Sequence, residues 1–175
     1  MPAKSDLDPT LLWAAVAVIV ALDPDAILLI RRSERSGDPW SGHMALPGGR
    51  QDPTDSDLLT TAIRETREEV GIELVLEDLV GSLAPVIPRN PVLPPIAIQP
   101  FVFLLHQRPP LVLNPEVARA NWIELDRLLE VGTYGNTELE VAGIPRSVPA
   151  YRLEAGVVWG LTERVLRSLF GPLSP

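Results

Sequence analysis

Three carboxylates crowd the middle of the chain: Glu65, Glu68 and Glu69, within Arg64-Glu65-Thr66-Arg67-Glu68-Glu69-Val70-Gly71. On a helix, i, i+3 and i+4 spacing makes their side chains neighbours, and each like-charge pair costs roughly 0.2–0.5 kcal/mol. They also fall in the last turns, where the helix macrodipole disfavours negative charge. A bound divalent cation offsets both penalties. Hard oxygen ligands without a thiol point to Mg²⁺ or Mn²⁺. The bland alternative is a surface ion-pair network, because Arg64 and Glu68 are also spaced i, i+4. Taken alone, the helix favours the ion-pair network. Glu65 and Glu69 are the first candidate ligands and Glu68 the third. The backbone carbonyl of Gly48 or Gly49 is a further one, since glycine permits close backbone approach. Arg64 supports them from outside the ligand set by restraining a carboxylate.

These residues need a helix delivered by a glycine loop, and the flanking pattern supplies one. Pro53 precedes the helix, Thr54 or Asp55 caps it, and Leu59, Ala62, Ile63, Thr66 and Val70 give it a buried stripe. Gly71 is its C-terminal stop, so the helix is expected from Asp55 to Val70. Upstream, Trp13 to Val20 reads as a central strand, Asp23-Pro24-Asp25 as a turn and Ala26 to Ile30 as the hairpin partner. A loop over Arg31 to His43 and a short strand at Met44-Ala45-Leu46 lead to Pro47-Gly48-Gly49. Downstream, one or two strands are expected in Glu73 to Ala84. The six prolines between Pro85 and Pro100 suggest a semi-rigid loop. Phe101 to His106 returns to strand, Asn121-Trp122-Ile123 begins another element, and Leu125 to Glu130 suits a short helix. Thr133 to Ala150 reads as irregular, Tyr151 to Leu153 as a strand and Val157 to Phe170 as an amphipathic helix.

Composition limits the function classes. The 175 residues fit one domain, 1–175, with a sizeable core. Cysteine is absent, which removes disulfides and thiolate metal sites. A net charge of -8 argues against nucleic acid and against an anionic membrane surface. The apolar run Leu11 to Leu22 has 12 residues, below the ~18–20 needed to span a bilayer. Its acidic flank suits a signal peptide poorly. An acidic protein still binds a phosphate substrate where divalent metals carry the local positive charge, and the expected location is cytoplasmic. A homodimer is allowed and nothing in the sequence requires it.

The array Gly49…Arg64-Glu65-x-x-Glu68-Glu69-x-Gly71-Ile72 resembles the Nudix box of the Nudix hydrolases. It differs from that pattern in three places. The Gly49-to-Arg64 interval is one residue longer. The first Glu position holds Asp55 counted from Gly49, or Ser56 counted back from Arg64. Thr66 replaces an apolar residue. Flanking segments resemble the coenzyme A diphosphatase-like subgroup: Trp40-Ser41-Gly42-His43-Met44-Ala45-Leu46-Pro47-Gly48-Gly49, Gln99-Pro100-Phe101-Val102, Asn114-Pro115-Glu116-Val117 and Val158-Trp159-Gly160-Leu161-Thr162. The resemblance implies an α/β class protein, the Nudix α/β/α sandwich with a mixed curved sheet. It implies a metal-dependent diphosphatase whose partner is a small-molecule diphosphate, coenzyme A or an acyl derivative, with ADP-ribose, other nucleotide sugars or nucleoside triphosphates as alternative substrates. A non-catalytic binding domain is the remaining class, and the intact carboxylates oppose it.

The general base is either Glu68 or Glu116, with Glu124 and Glu138 as weaker alternatives. Arg32, Arg35 and Arg50 flank the box and offer guanidinium forks to phosphate oxygens. His43 suits a structural hydrogen bond better than proton transfer. Trp40 suits loop packing or stacking on a base.

Overall fold

The computed structural model describes residues 8–22, 24–88, 95–141 and 143–171. Its strands are β1 (Leu12–Ala21), β2 (Ala26–Arg32), β3 (Met44–Ala45), β4 (Gly48–Arg50) and β5 (Leu79–Ser82) in the first half. β6 (Ile96–Leu105), β7 (Val117–Glu124), β8 (Tyr134–Val141), β9 (Ile144–Leu153) and β10 (Gly156–Trp159) follow. The helices are α1 (Leu58–Val70), α2 (Leu125–Leu129) and α3 (Gly160–Phe170).

β1 is apolar along its length because both of its faces are covered. It pairs in parallel with β6 from Leu12↔Ile96 to Ala21↔Leu105. Ala15, Ala17 and Ile19 face one way, packed with Leu28, Ile30 and Phe103 in the core that α1 closes through Leu59, Ala62 and Val70. Val18 faces the other way, with Ile27 and Leu29, under Val165 and Leu166 of α3. The result is the expected mixed sheet between helices.

β1 and β2 form a hairpin that pairs at Val20↔Ile27 and Ala21↔Ala26 and then opens. The segment from Met44 to Arg50 fills the opening, β3 pairing with β2 and β4 with β1. Between them, the Pro47 carbonyl accepts from Ala17 N–H at 2.8 Å. β7 lies along the other side of β2, and β5 along the other side of β6. This split hairpin carries Gly48-Gly49 across the sheet to the end of α1.

Four expectations need correction. The helix starts at Leu58 rather than Asp55, and its cap is Asp57, whose carboxylate accepts from Thr60 N–H at 2.8 Å. Glu73 to Ala84 holds one strand, β5, within the one or two expected, after a 3-10 turn (Leu76–Asp78). Of the predicted 85–100 loop, residues 89–94 lie outside the described ones, but Ile96 to Pro100 belong to β6. Pro100 is tolerated where its carbonyl accepts from Leu83 N–H, just past the end of β5. Most of 133–150, read as irregular, is strand: β8 (Tyr134–Val141) and β9 (Ile144–Leu153) pair as a long antiparallel ladder. The Arg152 N–H to Thr133 carbonyl bond sets its phase. In that phase Pro145 and Pro149 turn their nitrogens away from β8, so neither costs a ladder bond. The C-terminal helix begins only at Gly160, where a φ of 70° turns the chain out of β10. The expected turn after β1 holds at Pro24 and Asp25, while Asp23 lies outside the described residues.

Candidate active site

Pro47 and Gln51 bond toward β1, through Ala17 N–H and the Trp13 carbonyl. Backbone groups alternate along a strand, so Gly48 turns its amide away from β1. There the Gly48 N–H donates to Glu69 Oε2 at 2.9 Å. A Cβ at Gly48 would lie 2.2 Å from the Ala15 carbonyl, and one at Gly49 2.5–2.7 Å from the Glu65 carboxyl. Neither position takes a Cβ without a shift, of the sheet backbone at Gly48 and of a carboxylate at Gly49. α1 presents its three glutamates as a fan: Glu69 buried, Glu65 half-buried and Glu68 exposed.

Burial is the main force on the inner two. It raises the Glu69 carboxyl to about 7, against the Gly48 N–H bond and with help from the Glu65 charge. It also raises Glu65, opposed by the bond from Arg64. Among the described residues no three acidic or histidine side chains converge into a ready-made metal cage. Arg64 holds two of the glutamates instead. Its Nη1 lies 2.9 Å from Glu65 Oε1 and 3.1 Å from Glu68 Oε2.

The same guanidinium grips Asp55 with a second edge, Nε to Oδ1 at 3.0 Å and Nη2 to Oδ2 at 2.9 Å. Asp55 is 3% exposed and also accepts from Asp52 N–H and Thr61 Oγ1. The Arg64 bonds, with the Asp52 and Thr61 donors behind them, overcome burial and hold its carboxyl at about 2. Asp55 was expected as a cap. Its actual place is the anchor of the arginine that positions the carboxylates. Its polar neighbours Asp52 and Thr61 gave a faint signal, but the longer interval after Gly49 hid which residue would reach Arg64.

The remaining candidates divide by position. Glu116 reaches the rim of the carboxylate fan, its charge raising both Glu65 and Glu69. Arg35 Nη2 binds Glu116 Oε1 at 2.9 Å, with both side chains about half exposed. Arg32, at the end of β2, binds Asp38 at 2.8 Å and favours the charged form of Glu69. Arg50 is exposed on β4, and its carbonyl accepts from Arg64 at 3.3 Å. Glu124 stands beside Ala26 at the opposite end of β2, and Glu138 lies exposed on β8 in the second sheet. Neither is brought to the glutamate fan. His43 is packed 4.8 Å from Trp159, ring to ring, and burial lowers its pKa despite nearby Asp38. Trp40 is partly buried in the loop, its N–H on Asp38 Oδ1.

Comparison with known proteins points the same way. The NUDIX domain profile matches residues 11–140. The Nudix hydrolase NudL of Yersinia pestis is 32% identical over 157 residues, covering 89% of this chain and 77% of that protein. NudL of Yersinia pseudotuberculosis matches equally. Among solved structures, a MutT/nudix family protein from Enterococcus faecalis superposes with a TM-score of 0.68 at 17% identity, covering 97% of this chain. This chain spans 63% of that protein's length. The NUDIX domain of Shewanella oneidensis NrtR, solved with ADP ribose, gives a TM-score of 0.57 at 21% identity, over 71% of this chain and 82% of that one.

Proposed function

The chain belongs to the Nudix hydrolase family, and we propose that its substrate is coenzyme A or an acyl-coenzyme A. The products are 3′,5′-adenosine bisphosphate and a 4′-phosphopantetheine species. The broader activity, hydrolysis of a phosphoric anhydride in a nucleoside diphosphate-linked compound, follows from the family. The observation that carries the site is the buried Glu69 carboxylate facing the Gly48 amide, with Glu65 closed against Gly49. Support for coenzyme A comes from the flanking segments. His43 and Trp159, from two of them, stand in ring contact, while Asn114, from a third, donates its N–H to the Glu69 carbonyl.

The donor set fits a hard divalent cation. It is all oxygen, and its innermost carboxylate is disfavoured as an anion, chiefly by burial and further by the Glu65 and Glu116 charges. Glu65 and Glu69 would hold Mg²⁺ or Mn²⁺, with Glu68 and the Gly48 carbonyl completing the protein's share. Such an ion neutralises diphosphate charge and activates water. Arg64, anchored on Asp55, limits the rotamers of Glu65 and Glu68. Glu116 accepts the proton of the attacking water, with Glu68 the alternative base. Arg35, Arg32 and Arg50 meet phosphate oxygens, and His43 has a structural role, packed against Trp159. Among the described residues no helix is long and apolar enough to cross a membrane. We assign the whole chain to one domain working in the cytoplasm on a small molecule.

The test is a substrate panel with Mg²⁺ or Mn²⁺: coenzyme A, acetyl-coenzyme A, ADP-ribose, a dinucleoside polyphosphate and nucleoside triphosphates, with products separated chromatographically. Release of 3′,5′-adenosine bisphosphate at the highest kcat/KM supports the reading. Turnover confined to ADP-ribose, dinucleoside polyphosphates or nucleoside triphosphates rejects coenzyme A and leaves the family activity standing.

A further inference from the structure

The chain between β6 and β7 leaves the sheet, crosses the end of α1 and returns as β7. Val112 N–H donates to the Val70 carbonyl at 2.9 Å, and Asn114 N–H to the Glu69 carbonyl at 3.2 Å. These bonds occupy carbonyls that the end of a helix leaves without partners. The fit is close: a Cβ on Gly71 would lie 2.9 Å from Val112 Cβ. Asn114 then turns back on its own chain. Its Oδ1 accepts from Glu116 N–H at 2.9 Å, and its carbonyl accepts from Val117 N–H at 3.1 Å. Pro115 between them restricts φ, and its carbonyl accepts from Ser33 Oγ at 2.8 Å. The Glu116 carbonyl accepts from Ser33 N–H at 2.8 Å.

We propose that Asn114 is a positioning residue, tying Glu116 to the backbone of Glu69 and so fixing the distance between base and metal-binding turn. The inference rests on the reading of Glu116 as the base. The Asn114 main chain is bonded to Glu69, its side chain is bonded to Glu116, and no other described residue bonds to both. Among the described residues the Glu116 carboxylate has only the half-exposed Arg35 to hold it, and a surface pair of that kind restrains little. Its aim is therefore set by its backbone, which the Asn114 side chain holds at the Glu116 N–H while Ser33 holds the carbonyl. Ser at this position makes the same turn more weakly, and Ala cannot make it.

The experiment is a double-mutant cycle on the full chain with coenzyme A, or with whichever panel substrate is turned over. It compares Asn114→Ala, Asn114→Ser, Glu116→Gln and the Asn114→Ala/Glu116→Gln pair. Asn114→Ala should lower kcat by about 10- to 100-fold with KM within about twofold, and Asn114→Ser should recover most of the loss. With Glu116→Gln already present, Asn114→Ala should cost nothing further. Multiplicative losses in the pair, or no rescue by Ser, would overturn positioning through Glu116. Wild-type kcat in Asn114→Ala with a strong loss in Glu116→Gln rejects the inference and keeps the base. Wild-type kcat in Glu116→Gln rejects the base, and the inference with it. If Asn114→Ala fails to fold, Asn114→Thr and Asn114→Val replace Ser and Ala, since Thr and Val are similar in shape and differ in the acceptor.

Discussion

Each face of the main sheet is closed by a helix, and the two closures handle polar groups differently. Under α1 the small side chains Ala15 and Ala17 let the helix approach, and carboxylates are buried with it. Asp55 is saturated by Arg64, Asp52 and Thr61, whereas Glu69 has one N–H and is pushed toward its neutral form. Under α3 the contacts are Val18, Ile27, Leu29, Val158 and Leu166, with Tyr151 the largest side chain fully buried. Glu163, buried there, accepts from Tyr134 Oη at 2.8 Å. Glu163 and Glu69 thus each have one hydrogen-bond donor, and the α1 side differs in what crowds it: the charges of Glu65 and Glu116 add to burial in pushing Glu69 toward its neutral form, as expected where a ligand completes the set.

If that difference is functional, Glu69→Gln should separate rate from stability most sharply. An amide still accepts from the Gly48 N–H and no longer supplies an anion. The expected loss in kcat is about 10²–10³-fold, equivalent to several kcal/mol of transition-state stabilisation. Because burial raises the Glu69 carboxyl to about 7, the ionised form opposes folding above that pH. The metal-free variant should thus melt no lower than wild type at pH 8. Near-normal turnover would remove Glu69 from the site. A large drop in Tm would mean the carboxylate is structural.

The adjacent glycines refine the comparison, because one guards the site and the other the sheet. An Ala at 49 meets only the end of the Glu65 side chain, which can swing away at little cost to folding. Gly49→Ala should lower kcat about 10- to 100-fold by misplacing that carboxylate, with Tm shifted by a few degrees at most. An Ala at 48 meets the Ala15 backbone and must also hold a φ of 148°. Gly48→Ala should unfold the protein at a markedly lower temperature. Equal Tm losses in the two variants would show that Glu65 is not free to yield.

How much of this could be read beforehand also differs between the faces. The α1 side rests on short-range spacing, so Glu65, Glu68, Glu69, the glycines and the stop at Gly71 were visible in one window. Asp55 was visible as an acid near a helix start, and its role was not, because pairing with Arg64 depends on the path of a lengthened loop. The second sheet was missed for a different reason. Pro145 and Pro149 argue against a strand by propensity, and only the β8–β9 register shows that both face the free edge. Likewise Val157 to Phe170 reads as one amphipathic segment, and Gly160 divides it by a backbone turn that periodicity does not detect.

Asp55 gives the pH test. Its carboxyl is held at about 2 against an ordinary 3.8, chiefly by Arg64. A depressed acid stabilises the fold above its unfolded pKa, and that contribution disappears as pH falls through its folded pKa. The shift corresponds to about 2 kcal/mol, present at pH 5 and above and mostly lost near pH 2. Asp55→Asn should therefore lower Tm at pH 7 by several degrees, and the gap to wild type should narrow as acid is added. A gap that stays constant to pH 2 would show that shape, and not charge, is what Asp55 supplies to the α1 side.

The smallest effect should appear on the other face and carry the opposite sign. Tyr151 is fully buried, and its hydroxyl has no hydrogen-bond partner among the described residues. Burial raises its pKa to about 12, with the Glu163 charge adding to the effect. Its ring packs 4.9 Å from that of Tyr134, its cross-strand neighbour, and a Phe would keep that contact. An unpaired buried hydroxyl costs about 1–3 kcal/mol in proteins, but the oxygen also fills space that Phe would leave empty. Tyr151→Phe should then stabilise the protein by about 1 kcal/mol or less and raise Tm slightly, with kcat and KM unchanged because the ring lies across the sheet from Glu69. A lower Tm would show that the space the oxygen fills, or a water bound to it, outweighs its missing protein partner. A change in kcat would show that the two faces are coupled through the sheet, and that the α3 side does more than close the core.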